Sequence, residues 1–381
     1  MIVDPRDRAD HLDHGGNRRL IAKAAGLPEE EILDYSANIN PLGPPPWLGE
    51  AVAQGLARIN VYPDPEATMA REAAAARFSA PPERFLFADG ADSLLFAMPR
   101  ALGADVCVLT SPTYSGYRRA ARHAGCRQVV LPLIPGEDFR MDSPRFLDSL
   151  TKALDGTSDA KEPRCPERAI VFLGAPNNPA GGALPKATIE AFAQAYPRHF
   201  FIIDESFLEL SRNGESLIGT DAPNIVIARS LTKAWAVPGA RVGFIYAAPA
   251  VRTAIRAEIS AWPVSSFAEV IAAKALGDTA FLAGCLSALL AEEERFSAAL
   301  AALPRLKIFR SGANFLLADL TDDARGNHIA AALLEHGIAV RRFSPDEGLS
   351  GRYLRLAVRS RGENDRFLAA LGAIIASEPS L

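Results

Sequence analysis

Seven short apolar runs, separated by stretches of helical composition, constrain this chain more than any other feature. They are RFLFA (84–88), DVCVLT (105–110), QVVLPL (128–133), AIVFLG (169–174), FFIID (200–204), NIVIA (224–228) and VGFIYA (242–247). Short continuous apolar runs bounded by polar or small residues predict strands buried on both faces. The intervening 91–101, 114–124 and 186–196 have helical period, as do 47–58 and 66–77 upstream. Alternation of this kind predicts an α/β fold whose large domain holds a mostly parallel seven-stranded sheet between helices. The stretch 155–168 reads as a surface loop from its Gly, Pro and charge.

The pattern changes after a long Ala/Leu-rich helical region at about 266–302. Strand-like LKIFR, NFLLADL, IAVRRF and YLRLAV then alternate with helices near 327–336 and 363–376, which predicts a smaller α/β C-terminal domain. A chain of 381 residues is long enough for two cores. The expected division is an N-terminal arm at 1–45 packing with the small domain, a large domain at 46–275 and the small domain at 276–381. Lysines and arginines are dispersed and the net charge is −4, so no nucleic-acid partner is expected. No stretch approaches 18 uninterrupted apolar residues, and the polar N-terminus lacks a signal-peptide core, so no membrane span or export is expected. Cys107, Cys126, Cys165 and Cys285 form no CxxC pair and read as free thiols of a cytoplasmic protein. The histidines form no cluster, and no metal site is expected.

Open sheets of this type bind ligands beyond the carboxyl ends of their strands, so the residues following each run matter most. ADGADS places Gly90, Ala91 and Asp92 at a helix N-terminus, where free N–H groups favour a phosphate, or where Asp92 is an ordinary cap. Tyr114 of SPTY is placed to stack on a flat ring or simply to pack. Asn177 and Asn178 before Pro179 are turn formers, or Asn178 donates to a ligand oxygen. Asp204 ends an apolar run, and its carboxylate needs a partner, either a protonated ring nitrogen or a structural cation. Lys233 follows the next run with Ser230 and Thr232 beside it, and Arg241 lies eight positions further on. Those hydroxyls and the arginine complete a phosphate cup.

Pyridoxal 5′-phosphate uses all of these groups together. It needs a lysine amine to condense with its aldehyde, an acid beside its ring nitrogen, a stacking ring, a donor to its ring oxygen and a phosphate cup. On this reading Lys233, Asp204 and Tyr114 are the catalytic residues.

The ordered set GAD, PTY, NNPAG, DESF, SLTK and GARVGF resembles the fold-type I pyridoxal-phosphate-dependent class I/II aminotransferase superfamily over about 35–360. Phe207 of DESF stands where that superfamily has a tyrosine, which leaves Asn178 more of the hydrogen bonding to the cofactor's ring oxygen. The resemblance implies that Tyr62 of VYPDP reaches the cofactor phosphate of a neighbouring subunit, and hence a homodimer with shared sites. It implies that Arg355 binds a substrate carboxylate, that His14, Asn38 and Arg341 face the substrate phosphate, and that Asn178 also contacts the phosphorylated amino acid. His14 also reads as merely solvated, and Arg341 as a surface strand residue. NINPLGPP, VYPDPEA and GAPNNPAGG are similar to histidinol-phosphate aminotransferases, whereas DHGGN, LDYSANINPLGPP and DESFLEL look more like threonine-phosphate decarboxylases of cobalamin biosynthesis. The favoured resemblance implies decarboxylation of L-threonine O-3-phosphate to (R)-1-amino-2-propanol O-2-phosphate. The alternative is amino transfer to 2-oxoglutarate.

Overall fold

A computed structural model describes residues 15–157, 165–212 and 214–378. Its strands, in chain order, begin with β1 Leu33–Asp34, β2 Phe85–Ala88, β3 Val106–Ser111, β4 Arg127–Pro132, β5 Ala169–Gly174, β6 Phe200–Asp204, β7 Ile225–Ser230 and β8 Gly243–Tyr246. Strands β2 to β8 form one seven-stranded sheet in the order β2-β8-β7-β6-β5-β3-β4. Each of the seven apolar runs supplies one of them. Strands β3 to β7 pair in parallel, and β8 runs antiparallel to both of its neighbours.

Side chains alternate across a strand, and the two cores show that period of two. Val108, Val171, Phe201, Ile203, Ile227 and Phe244 face one core. Leu109, Ile170, Phe172, Ile202, Val226 and Ile245 face the other, under Leu94, Leu95 and Met98 of the helix Ala91–Ala101 and Tyr117 and Ala121 of the helix Ser115–His123. Burial on both faces explains why these strands read as unbroken apolar runs.

The later strands are β9 Lys307–Arg310, β10 Phe315–Asp319, β11 Ile338–Ala339, β12 Arg341–Arg342 and β13 Tyr353–Ala357. An antiparallel sheet has the order β12-β13-β10-β9, with Arg341 directly opposite Arg355. β1 pairs in parallel with β11, so the segment after the short helix Arg18–Ala25 is tied to the C-terminal part of the chain. The helical region after residue 266 is two helices, Ser266–Gly277 and Thr279–Ala301, meeting at a 73° bend. Asp278 sits at the break and caps the second helix by accepting from the Phe281 N–H at 3.0 Å. Among the described residues no single helix is long and apolar enough to cross a membrane.

Candidate active site

The reversal of β8 determines which residues meet. The carboxyl ends of β2, β3, β5, β6 and β7 share one sheet edge, and the antiparallel β8 starts there. Arg241, just before β8, therefore arrives beside residues that follow the parallel strands. Gly243 permits the closest approach: a Cβ there would lie 2.4 Å from the Ala91 nitrogen and 2.7 Å from the Arg229 carbonyl oxygen. The N-terminus of the helix Ala91–Ala101 is thereby set against the strand ends. No side chain caps this helix, so the alternative of Asp92 as an ordinary cap is not realised.

A cavity of about 180 Å³ is lined by Gly90, Ala91, Asp92, Tyr114, Tyr117, Asn178, Asp204, Phe207, Ser230, Thr232, Lys233 and Arg241. The Lys233 amine donates to Thr232 Oγ1 at 3.0 Å, and the Ser230 and Thr232 hydroxyls lie 2.7 Å apart. Burial, then the neighbouring Arg241 charge, pushes the Lys233 ammonium down from 10.5 to about 8. About a tenth of it is then free amine at pH 7. Arg241 has no hydrogen-bond or ion-pair partner among the described residues.

Asp204 is held on both oxygens. The Tyr117 hydroxyl donates to Oδ2 at 2.7 Å, and the Ser206 N–H donates to Oδ1 at 3.0 Å. Burial, followed by the Asp204 charge, pushes the Tyr117 phenol well above its usual range, so it stays a donor. Its ring stacks on Phe172 (5.0 Å, 11°) and meets Tyr114 edge-on (5.4 Å, 84°). Tyr114 in turn donates to Asp92 Oδ1 at 2.9 Å. Tyr117 is a residue that the sequence reading missed; the SGY triplet gives no sign of a partner 87 residues away.

A wider cavity of about 700 Å³ adjoins the first, sharing Tyr114, Asn178, Phe207, Lys233 and Arg241 with it. Asn38, Arg341 and Arg355 line it. Arg355 donates to Asn178 Oδ1 at 2.7 Å and to the Ser36 carbonyl, and its Nε has no partner. Burial, then Arg341, pushes its guanidinium down to about 9. Both polar atoms of the buried Asn38 amide also lack partners among the described residues. Asn177 and Asn178 divide the two roles left open for them. Asn177 is an internal tether, donating to the Pro112 carbonyl at 3.0 Å and accepting from Thr113 at 2.8 Å. Asn178 faces the cavity with its Oδ1 occupied by Arg355, which leaves its N–H₂ to donate.

Phe207 lines both cavities and packs edge-on against Phe315 (5.1 Å, 69°). Tyr62 is not in this constellation: it is 78% exposed and stacks on Trp262 at 4.5 Å. His14 lies outside the described residues.

The arrangement fits pyridoxal phosphate. Uncapped N–H groups, two hydroxyls and an unpaired arginine form an anion cup, while a doubly anchored carboxylate and a lysine of lowered basicity lie in the same cavity.

Comparison with known proteins points the same way. The profile of the family described as aminotransferase class I and II matches residues 30–371. The chain is 32% identical to the adenosylcobalamin biosynthesis bifunctional protein CobDQ of Leptospira interrogans over 95% of its own length, and it spans 41% of that longer protein. It is 30% identical to the threonine-phosphate decarboxylase of Salmonella typhimurium, covering 95% of this chain and 96% of that one. It is 32% identical to a histidinol-phosphate aminotransferase of Roseiflexus castenholzii over 92% of each. Among solved structures, the histidinol-phosphate aminotransferase of Sinorhizobium meliloti in complex with pyridoxal 5′-phosphate superposes with a TM-score of 0.81 at 25% identity, covering 99% of this chain and 98% of that one. The L-threonine-O-3-phosphate decarboxylase of Porphyromonas gingivalis shares the fold with a TM-score of 0.76 at 22% identity, covering 90% and 99%.

Proposed function

The chain belongs to the class I and II aminotransferase family of pyridoxal-phosphate-dependent enzymes, and from that premise we propose that it decarboxylates L-threonine O-3-phosphate. The product is (R)-1-amino-2-propanol O-2-phosphate, and the setting is cobalamin biosynthesis in the cytoplasm. The observation that carries this reading is the pair Arg341 and Arg355, directly opposite each other on adjacent strands and lining one cavity with Lys233. Side chains so placed start about 5 Å apart. They suit a ligand carrying a carboxylate and a phosphate a few bonds from one another, as phosphothreonine does. Histidinol phosphate has the phosphate alone, and in the aminotransferase reading the carboxylate that meets Arg355 would come from the amino acceptor in a separate half-reaction.

Gly90, Ala91 and Asp92 with Ser230, Thr232 and Arg241 would hold the cofactor phosphate, Asp204 its ring nitrogen, Asn178 its ring oxygen, and Tyr114 and Phe207 its faces. Bound there, pyridoxal phosphate supplies an electron-accepting ring for charge released at the substrate Cα. Lys233 contributes an amine of lowered basicity, the condition for nucleophilic attack near neutral pH. Tyr117 and the Ser206 N–H fix Asp204 in place by donating to its two oxygens. Arg355 would bind the substrate carboxylate, with Arg341 and Asn38 on its phosphate. Held at both ends, the substrate has one bond at Cα aligned for cleavage. Loss of CO₂ leaves the bonding pair at Cα, and a proton from Lys233 or water takes the carboxylate's place.

The active unit is proposed to be a homodimer. Among the described residues, the exposed large apolar side chains, Val130 apart, are Leu42, Val52, Leu56, Ile59, Val61, Tyr62, Met69 and Trp262. Exposed apolar side chains gathered in one stretch of sequence, with Tyr62 stacked on Trp262, support an interface. It includes Tyr62, the residue proposed to enter the neighbouring site.

The second reading, a histidinol-phosphate aminotransferase, is favoured by the 32% identity to such an enzyme. Two parallel mixtures decide between them. CO₂ from L-threonine O-3-phosphate without any keto acid supports the decarboxylase. Glutamate from L-histidinol phosphate and 2-oxoglutarate, with no CO₂ from the first mixture, overturns it.

A further inference from the structure

Of the two opposed arginines, only one is available. Among the described residues Arg355 has no carboxylate partner, whereas Arg341 is ion-paired with Glu347 at 2.5 Å and also donates to the Arg342 carbonyl. Each arginine is 7% exposed, and Glu347 lines the same 700 Å³ cavity as both. A carboxylate therefore occupies the position that the proposed function assigns to an anionic group of the substrate.

Glu347 lies in one short capped turn, not in a long helix or a strand. It closes the three-residue turn Pro345–Glu347, and its Oε2 accepts only from Ser344, at 3.1 Å from the backbone N–H and 3.4 Å from the hydroxyl. The turn ends at Gly348 in the left-handed region (φ +81°), resting on the carboxyl end of β3, where a Cβ would fall 1.8 Å from Ser111 Oγ. Glu347 also lines an adjoining groove of about 120 Å³, where three arginines, Arg118, Arg119 and Arg122, outnumber the one other carboxylate, Asp346. Among the described residues neither Arg118 nor Arg122 has an ion-pair partner. A Glu347 carboxylate released from Arg341 thus has a second cationic setting next to it.

We propose that Glu347 is a displaceable counter-ion that reserves Arg341 for a phosphomonoester. In the ligand-free pocket it neutralises Arg341 and relieves the repulsion between two buried, opposed guanidinium groups. An incoming monocarboxylate offers Arg341 no more than Glu347 already gives it, and Glu347 competes at the high effective concentration of a tethered group. A phosphate dianion brings more charge and three acceptor oxygens, and displaces it. Glu347 is thereby a specificity-determining residue, setting a charge threshold at one end of the pocket. The inference rests on the reading of Arg341 as the substrate-phosphate residue.

The test is calorimetric titration of the holoenzyme, its cofactor cup filled, with inorganic phosphate. Glu347→Gln is expected to tighten phosphate binding roughly tenfold, since the tethered competitor is gone. Glu347→Asp, which keeps the charge but shortens the reach, is expected to fall between the two and guards against a turn that misfolds in the glutamine variant. The tightening must vanish when Arg341→Gln is added. Unchanged or weaker phosphate binding in Glu347→Gln, or equal tightening without Arg341, would overturn the proposal and make the ion pair a fixed structural one. Because inorganic phosphate is the probe, a chain that proved to be an aminotransferase would refute the reaction and leave this result standing.

Discussion

Lys233 should destabilise the cofactor-free protein, and replacing it with methionine should reveal by how much. In the folded chain its basicity is lowered from 10.5 to about 8, chiefly by burial. At about 1.36 kcal/mol per pH unit, that displacement amounts to about 3 kcal/mol. The substitution also removes the hydrogen bond to Thr232, worth about 1 kcal/mol. Lys233→Met is thus expected to gain about 2 kcal/mol at pH 7, after the lost hydrogen bond is counted.

The pH dependence makes the prediction specific. The folded-state value lies below the unfolded one, so between pH 8 and 10.5 the unfolded chain binds more protons and the wild type gains stability as pH rises. Below pH 8 both states are protonated and the folded state carries the whole penalty. The advantage of the methionine variant should be full at pH 7 and gone by about pH 10.5, where the lost hydrogen bond remains. Urea unfolding of both apoproteins at pH 7 and pH 10 measures it. A variant no more stable than the wild type at pH 7, or a gain that does not shrink with pH, would refute the account of Lys233 as a buried, partly deprotonated amine.

Tyr117→Phe removes one of two donors to Asp204 and should lower kcat roughly 10–100-fold, the equivalent of a hydrogen bond to a charged group, while KM changes little; steady-state kinetics read the split. Arg355→Gln should lower kcat/KM by a comparable factor, mostly through KM, because the carboxylate loses its buried cation. Tyr62→Ala combined with Trp262→Ala should shift sedimentation toward monomer and weaken cofactor retention; an unchanged dimer with full cofactor would remove Tyr62 from the site. Asn40→Ala should lower the ratio of CO₂ release to side reactions such as amino transfer more than it raises KM, measured by assaying both products.

The apolar runs were legible because strands buried on both faces leave no other pattern, and the polar residues after them identified most of the cavity lining. The direction of β8 was not legible. An apolar run looks the same whichever way it points, so the role of Arg241 could be inferred only from its charge and not from its place before a strand. Tyr117 and Glu347 escaped for a different reason. Tyr117 acts through Asp204, 87 residues away, and Glu347 through Arg341 across a turn whose path the letters do not show. Asn177 and Asn178 are adjacent in sequence yet one is an internal tether and the other faces the cavity. That division depends on the path of the turn rather than on residue type.

One short segment ties Lys233 to the strands that carry the paired arginines. Residues 33–40 form a strut. β1 pairs with β11, and the Tyr35 N–H donates to the Ala339 carbonyl at 2.7 Å, two residues from Arg341. The Tyr35 carbonyl accepts from the Ala357 N–H at 3.0 Å, and the Ser36 carbonyl accepts from Arg355 itself. Asn40 then binds the lysine segment twice, from its N–H to the Lys233 carbonyl at 3.0 Å and from its side chain to the Ala234 carbonyl at 2.8 Å. The reactive amine and both anion-binding side chains are thus referred to the same eight residues. A small change in that strut would turn the substrate about its anchored ends and bring a different bond at Cα into line, with every catalytic group still present. An enzyme with this lysine, aspartate and pair of arginines would then change its reaction through the spacing that DYSANIN imposes, without exchange of any residue that performs the chemistry.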